Sequence, residues 1–173
     1  KWSPGRGRGQ KDWADKGMRY AGWSYDYPTE AEWEYACRAG TRTGYPSAIK
    51  DLGKYGNFAD RTLYEDRELV HYVYANREAD DGYGRLFAPV GQFLPNAWGI
   101  HDMSGNVSEW VWDRWGPYSQ GTHFDPHGAK EGGHRVVRGG YYILTSHVRS
   151  RKKGRFGRSS GVGFRLVRLA GER

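Results

Sequence analysis

Residues 95–113 read PNAWGIHDMSGNVSEWVWD, and this stretch decides how the rest of the chain is read. Asp102 and Glu109 are the sole acids in 95–112. The Met-Ser-Gly-Asn-Val-Ser between them holds too many turn formers to continue as a regular helix or strand. A tight loop of this kind turns backbone carbonyls inward while two carboxylates close over the same point. Calcium collects its oxygens in this way, from side chains and main chain together. An Asx-type turn flanked by aromatic core residues fits the same spacing, and at this level both readings stand.

Two other stretches join it in a fixed order. Residues 28–40 read PTEAEWEYACRAG, and residues 135–168 open on RVVRGGYY and close on GVGFRLVR. With APVGQFLPNAWG at 88–99 and DPHG at 125–128, these resemble the motifs of the formylglycine-generating-enzyme family, also called the sulfatase-modifying-factor domain. The resemblance runs from about residue 28 to the C-terminus. It implies an α+β, C-type-lectin-like fold, loop-rich with few regular elements, over 28–173. It leaves 1–27 as an irregular basic N-terminal segment, with the family's own N-terminal portion lacking.

Composition agrees. A chain of 173 residues is long enough for one core. Its 26 glycines are about twice the usual share, and aromatics reach 16% while hydrophobic residues stay at 37%, so aromatic clusters among turns must hold it. No apolar run approaches the ~18 residues of a membrane span. The chain begins at Lys1 rather than methionine, which suits a removed leader or longer N-terminal portion and an extracytoplasmic or cell-surface setting. Net charge is +7, and residues 149–158, RSRKKGRFGR, are crowded with basic side chains and contain no acid. Such a run suits an anionic partner or a solvated loop; no nucleic-acid module accompanies it, so nucleic acid is not the favoured partner. GRGRG at 5–9 lacks the flanking strand and Gly-Lys-Ser/Thr ending of a phosphate loop.

Local signals place a few elements. Thr29 offers an N-cap and Glu32 completes a capping box; Trp33, Ala36 and Cys37 then fall at i, i+3, i+4 toward a core, and Gly40 ends the helix. Residues 41–87 read as loops with turn clusters at 57–60 and 80–83. Short strands are expected at 88–93, 135–138 and 163–168, the last alternating Phe164 and Leu166 with Arg165 and Val167.

The resemblance also says what chemistry to look for. Enzymes of this family hold copper with two thiols shortly after the RGG element. Here that segment, YYILTSHVR at 141–149, has no cysteine. Copper(I) prefers soft thiolates, which hydroxyls and one imidazole do not replace. Cys37, the single cysteine, lies on the core face of the expected helix and reads as a small hydrophobe. Cysteine oxidation is therefore not expected. Ergothioneine-type sulfoxide synthases share the domain but take iron through a His-xxx-His-x-Glu pattern. His71, His101, His123, His127, His134 and His147 show no such spacing. The calcium pattern survives. It implies one site from Asp102 and Glu109 with the carbonyls of Gly105 and Val107, and a second from Asn57 and Asp81 with the carbonyls of Phe58 and Tyr83. Ser108, Tyr141 and Asp26-Tyr27 depart from the family's usual residues at their positions.

A scaffold without thiols leaves a binding surface. The variable proteins of diversity-generating retroelements share this fold and diversify the segment between RGG and GFR. Tyrosines beside small hydroxyl residues give large contact area at low entropy cost. The expected reading is a non-catalytic, calcium-stabilised module whose residues 141–160 contact a protein or glycan ligand through Tyr141, Tyr142, Thr145, His147, Arg151 and Arg155. A degenerate or accessory subunit of a larger enzyme or structural assembly is the alternative.

Overall fold

The computed structural model describes residues 18–20, 23–45, 49–65, 79–84, 86–142, 148, 151–154 and 161–168. Helix α1 (Glu30–Arg38) forms as its capping signals require. The Thr29 side chain accepts from the Glu32 amide while the Glu32 carboxylate accepts from the Thr29 amide at 2.7 Å. Ala39 takes the left-handed conformation, its N–H bonded to the Tyr35 carbonyl, and Gly40 follows at φ 85°. The helix buries Trp33 and Cys37 against Met103, Val111, Val136 and Val148, and Ala36 packs at the margin of this cluster. Trp33 is 1% exposed, so truncating it to alanine costs about 3–5 kcal/mol.

The core lies under a mixed four-stranded sheet. β3 (Ser108–Arg114) pairs antiparallel with β4 (Arg135–Arg138), which pairs antiparallel with β5 (Arg151–Gly154). On its other side β3 runs parallel to β6 (Val162–Phe164), with Glu109 opposite Gly163, giving the order β5-β4-β3-β6. A smaller sheet joins β1 (Met18–Tyr20), β2 (Trp23–Asp26) and β7 (Val167–Arg168) in antiparallel order. A 3-10 helix (Ile49–Lys54) and the short α2 (Arg61–Glu65) lie in the loop-rich part. Among the described residues no helix is long and apolar enough to cross a membrane.

Three expectations need correction. The stretch taken as irregular through residue 27 supplies β1 and β2, because its backbone finds partners in β7, far along the chain. Residues 88–93 form turns rather than a strand, with Gly91 at φ 78°. The expected strand at 163–168 breaks after Phe164, one part serving each sheet. Phe164 and Leu166 face outward, at 59% and 40% exposure, while Arg165 between them turns in.

Candidate functional site

The 102–109 loop is shaped by left-handed backbone at Asp102, Gly105 and Asn106. A side chain at Gly105 would place its first carbon 2.0 Å from the Asn57 carbonyl oxygen, so only glycine allows the two loops to touch. At the end of the loop the buried Glu109 accepts from Trp33 Nε1 at 2.7 Å and from both Nε and Nη2 of Arg165, at 2.5 and 2.6 Å. The same Nη2 donates to the Asp102 carbonyl at 2.9 Å. Asp102 Oδ2 accepts from the Gly91 amide at 2.6 Å, while its Oδ1 is buried with no hydrogen-bond partner. The Glu109 carboxylate and the Asp102 carbonyl, but not the Asp102 carboxylate, thus meet around the guanidinium of Arg165, a residue whose place in the alternation of 163–168 gave no hint of this role. Asp102 also lines a narrow recess with Cys37, Tyr55, Asn96 and Ser104.

The second set also converges. Asp81 accepts from the Phe58 amide at 2.7 Å through Oδ2 and from the Tyr83 amide at 2.9 Å through Oδ1. Asn57 is fully buried; its Nδ2 donates to the Leu86 carbonyl at 2.8 Å, and its Oδ1 is buried without a partner. Asp60, also fully buried, accepts from the Asp81 amide and caps the first turn of α2 through the Leu63 amide. Burial, with the neighbouring charges of Asp60 and Asp80 adding to it, pushes the Asp81 carboxyl up to about 6. Arg61 reaches Asp80 at 2.6 Å on the exposed side of the cluster. Among the described residues no three His, Cys, Asp or Glu side chains gather as metal ligands, so a cation at either set would draw on the asparagine oxygen and carbonyls as well.

The segment after RGG is described at Tyr141, Tyr142 and Val148; Thr145, His147 and Arg155 lie outside the described residues. Tyr141 and Tyr142 are half-buried and stack edge-on at 5.9 Å. Tyr142 meets Phe87 edge-on at 5.1 Å, and Lys152 Nζ sits 4.9 Å over the Tyr141 ring, its pKa lowered by burial. Phe87, with the exposed Leu86 and Val90 beside it in sequence, extends this face. Sequence reading missed it, because Leu86 and Phe87 fell at the end of the stretch read only as loops. Val148 belongs to the core.

Arg151 departs from the surface role expected of it. Its Nε lies 2.9 Å from Glu30 Oε1, its Nη1 donates to the Gly116 carbonyl at 3.1 Å, and its guanidinium lies over Trp115 and Tyr118. Glu30 is buried and also receives Arg138 Nη1 at 2.8 Å and the Tyr118 hydroxyl at 2.9 Å. A carboxylate buried at a helix start recruits cations, and Arg151 is spent on that need.

The thiol chemistry does not fit. Cys37 is buried, donates to the Met103 carbonyl at 3.5 Å, and burial pushes its pKa to about 11. The stretch 141–161 contains no cysteine, so the chain offers no thiolate pair for copper.

Residues 11–170 match the model of the sulfatase-modifying factor enzyme 1-like domain. The chain belongs to this family. It is 36% identical over 130 residues to the formylglycine-generating enzyme of Streptomyces coelicolor, a match covering 72% of this chain and 38% of that enzyme. It is 29% identical over 170 residues to the inactive C-alpha-formylglycine-generating enzyme 2 of Mus musculus, covering 92% and 48%. Among solved structures, the Treponema denticola variable protein 1 superposes with a TM-score of 0.64 at 28% identity, covering 91% of this chain and 52% of that one. The chain thus spans less than half the length of these two curated relatives. The family match takes in β1 and β2, in line with their pairing to the C-terminal β7.

Proposed function

We propose that this chain is a non-catalytic, calcium-stabilised binding module on the formylglycine-generating-enzyme scaffold, recognising a protein or glycan ligand. The observation that carries the reading is the row Phe87, Tyr142, Tyr141, Lys152. In the segment after RGG, where the family resemblance puts the enzymes' thiols, this chain presents partly open aromatic rings and an amine. Rigid aromatic side chains with few rotamers are efficient contact residues, and a cation beside them adds orientation. The inactive mouse relative and the Treponema variable protein accord with a family scaffold used without the oxidation.

Calcium is supported by the two orphaned oxygens, Asn57 Oδ1 and Asp102 Oδ1, one in each implied ligand set. Buried polar atoms without partners are rare, and a cation would satisfy both. Asn57, Phe58, Asp81 and Tyr83 would hold one ion and Asp102, Gly105, Val107 and Glu109 another; calcium there supplies positive charge to the carboxylates. An extracytoplasmic or cell-surface setting suits such modules, whose calcium affinity is modest.

The test is a glycan array and a protein pull-down with the wild-type chain, followed by Phe87→Ala and Tyr142→Ala against any hit. Each substitution should weaken binding at least tenfold, as loss of about 1.4 kcal/mol or more at an anchor does. Unchanged affinity in both would remove this face as the binding surface. Copper-dependent oxidation of a sulfatase-type cysteine peptide by this chain would overturn the non-catalytic reading.

An accessory role in a larger enzyme or structural assembly is favoured by apolar groups left open elsewhere. Tyr35, 68% exposed, packs on Trp98 at 4.8 Å, and Phe124 is 95% exposed. Obligate co-purification with a partner would select that reading.

A further inference from the structure

One buried residue joins the cation cluster to the aromatic face. The Asn106 amide N–H donates to the Asn57 carbonyl at 2.8 Å, and Asn57 Nδ2 lies 3.3 Å from Asn106 Oδ1. The Asn106 side chain closes both ends of one peptide position. Its Oδ1 accepts from the Ala88 amide at 2.9 Å and its Nδ2 donates to the Ala88 carbonyl at 3.0 Å. Its own carbonyl accepts from the Tyr142 amide at 3.2 Å. Ala88 follows Phe87, so the two rings that meet at 5.1 Å are both anchored on Asn106.

Among the described residues the anchored loop has few other hydrogen bonds, though Ala88 itself is buried. Residues 86–91 carry no regular secondary structure. Among the described residues their further hydrogen bonds are Leu86 to Asn57, Leu86 to Tyr83 and Gly91 to Asp102, and each of these partners belongs to an implied cation set. Asn106 is 5% exposed and sits at φ 60°, a conformation asparagine tolerates better than most residues. Satisfying all these groups at once requires that Asn57, Asn106 and Ala88 keep one arrangement, and a network of this kind moves as a unit.

We infer that Asn106 is the positioning residue that carries the state of the Asn57–Asp81 cluster to the Phe87–Tyr142 face. The inference rests on the calcium-stabilised binding reading above. A cation drawing on Asn57 Oδ1 fixes the Asn57 side chain, Asn57 Nδ2 then holds Leu86 and Asn106, and Asn106 holds Ala88 and Tyr142. Without the cation the Asn57 side chain is held through Nδ2 alone, with Oδ1 unanchored, and the two rings lose their fixed separation.

The experiment is NMR on the full chain, with calcium and with chelator. It reads the ring-to-ring contact of Phe87 with Tyr142 and the exchange rates of the Phe58, Tyr83 and Tyr142 amides. In the wild type, chelation should weaken the ring contact and speed Tyr142 exchange about tenfold, the factor that one to two hydrogen bonds carry. Asn106→Gly suits the left-handed backbone and deletes the side chain. Asn106→Asp keeps the acceptor and deletes the donor, giving a second variant should the first fold poorly. In either, calcium should still slow Phe58 and Tyr83 exchange, while the ring contact stays weak with and without the ion. A merely structural Asn106 would instead raise exchange throughout the chain. Calcium protection of Phe58 and Tyr83 with no response at Tyr142 or the rings would overturn the coupling and leave the calcium reading intact. No calcium response anywhere would overturn both.

Discussion

The two acidic loops implied as cation sites differ in how their charge is already met. In 102–109 the buried Glu109 is gripped by Nε and Nη2 of Arg165 and by the Trp33 indole, so the protein supplies its own cation. At 57–60 and 79–83, among the described residues, Asp60 and Asp81 are held by backbone amides, and the nearby Arg61 is spent on Asp80. Both loops keep one orphaned oxygen, but among the contacts described Glu109 in the first loop has a charged partner and Asp102 does not, whereas in the second neither Asp60 nor Asp81 has one. A carboxylate that owns a guanidinium gains less from an external ion than one that does not. The spacing of 102–109 made it the more persuasive cation loop in the sequence; the contacts favour the other.

The comparison can be broken most sharply at Arg165. Arg165→Gln leaves Glu109 buried and uncompensated, and should lower stability by about 3 kcal/mol, the lower end of the cost of breaking a buried pair. The lower end applies because the Arg165 side chain is 23% exposed. Urea unfolding with and without calcium measures it; recovery of most of the loss on adding calcium would show that 102–109 is the stronger cation loop after all.

Next in size is calcium itself. At about 100 times its dissociation constant it should add about 2.7 kcal/mol to the wild type, read as a shift between melts with ion and with chelator. Asp81→Asn should remove more of that increment than Asp102→Asn. Equal losses would put the two loops on one footing, and no increment in the wild type would remove calcium from both.

The smallest effect is a pH dependence confined to the second loop. The Asp81 carboxyl is held up to about 6 in the folded chain and lies lower when unfolded, so the folded state binds the extra proton between about 4 and 6. In chelator, stability should therefore fall as pH rises through that window and level off above it. Calcium, which needs the ionised carboxylate, should cancel the fall, and Asp81→Asn should flatten the profile. A profile that stays the same after Asp81→Asn would assign the titration elsewhere.

Much of the scaffold was legible because its causes are local. Thr29 and Glu32 sit three residues apart and satisfy each other's backbone within one turn, so the helix start could be read directly, as could the burial of Trp33 and Cys37 on one face. The turn at Gly105 and Asn106 was equally visible, and so was the absence of thiols after RGG. The strands β1 and β2 were not, since three- and four-residue segments are strands only by virtue of a partner. Residues 88–93 looked like a strand, yet the backbone bonds described for them go to asparagine, aspartate and histidine side chains.

The amino-acid order by itself determined the capped helix, the turn at Gly105 and Asn106, the lack of a copper ligand pair and the positions of the acids, because each depends on residue type or on neighbours within a few positions. Tertiary structure decided which charge answers which. Arg165 turned inward against its alternation because Glu109 lay buried opposite it, and Arg151 went to Glu30 instead of the surface. Burying a carboxylate costs several kcal/mol unless a cation or donors meet it, and that demand, set only once the chain is folded, overrides the local pattern.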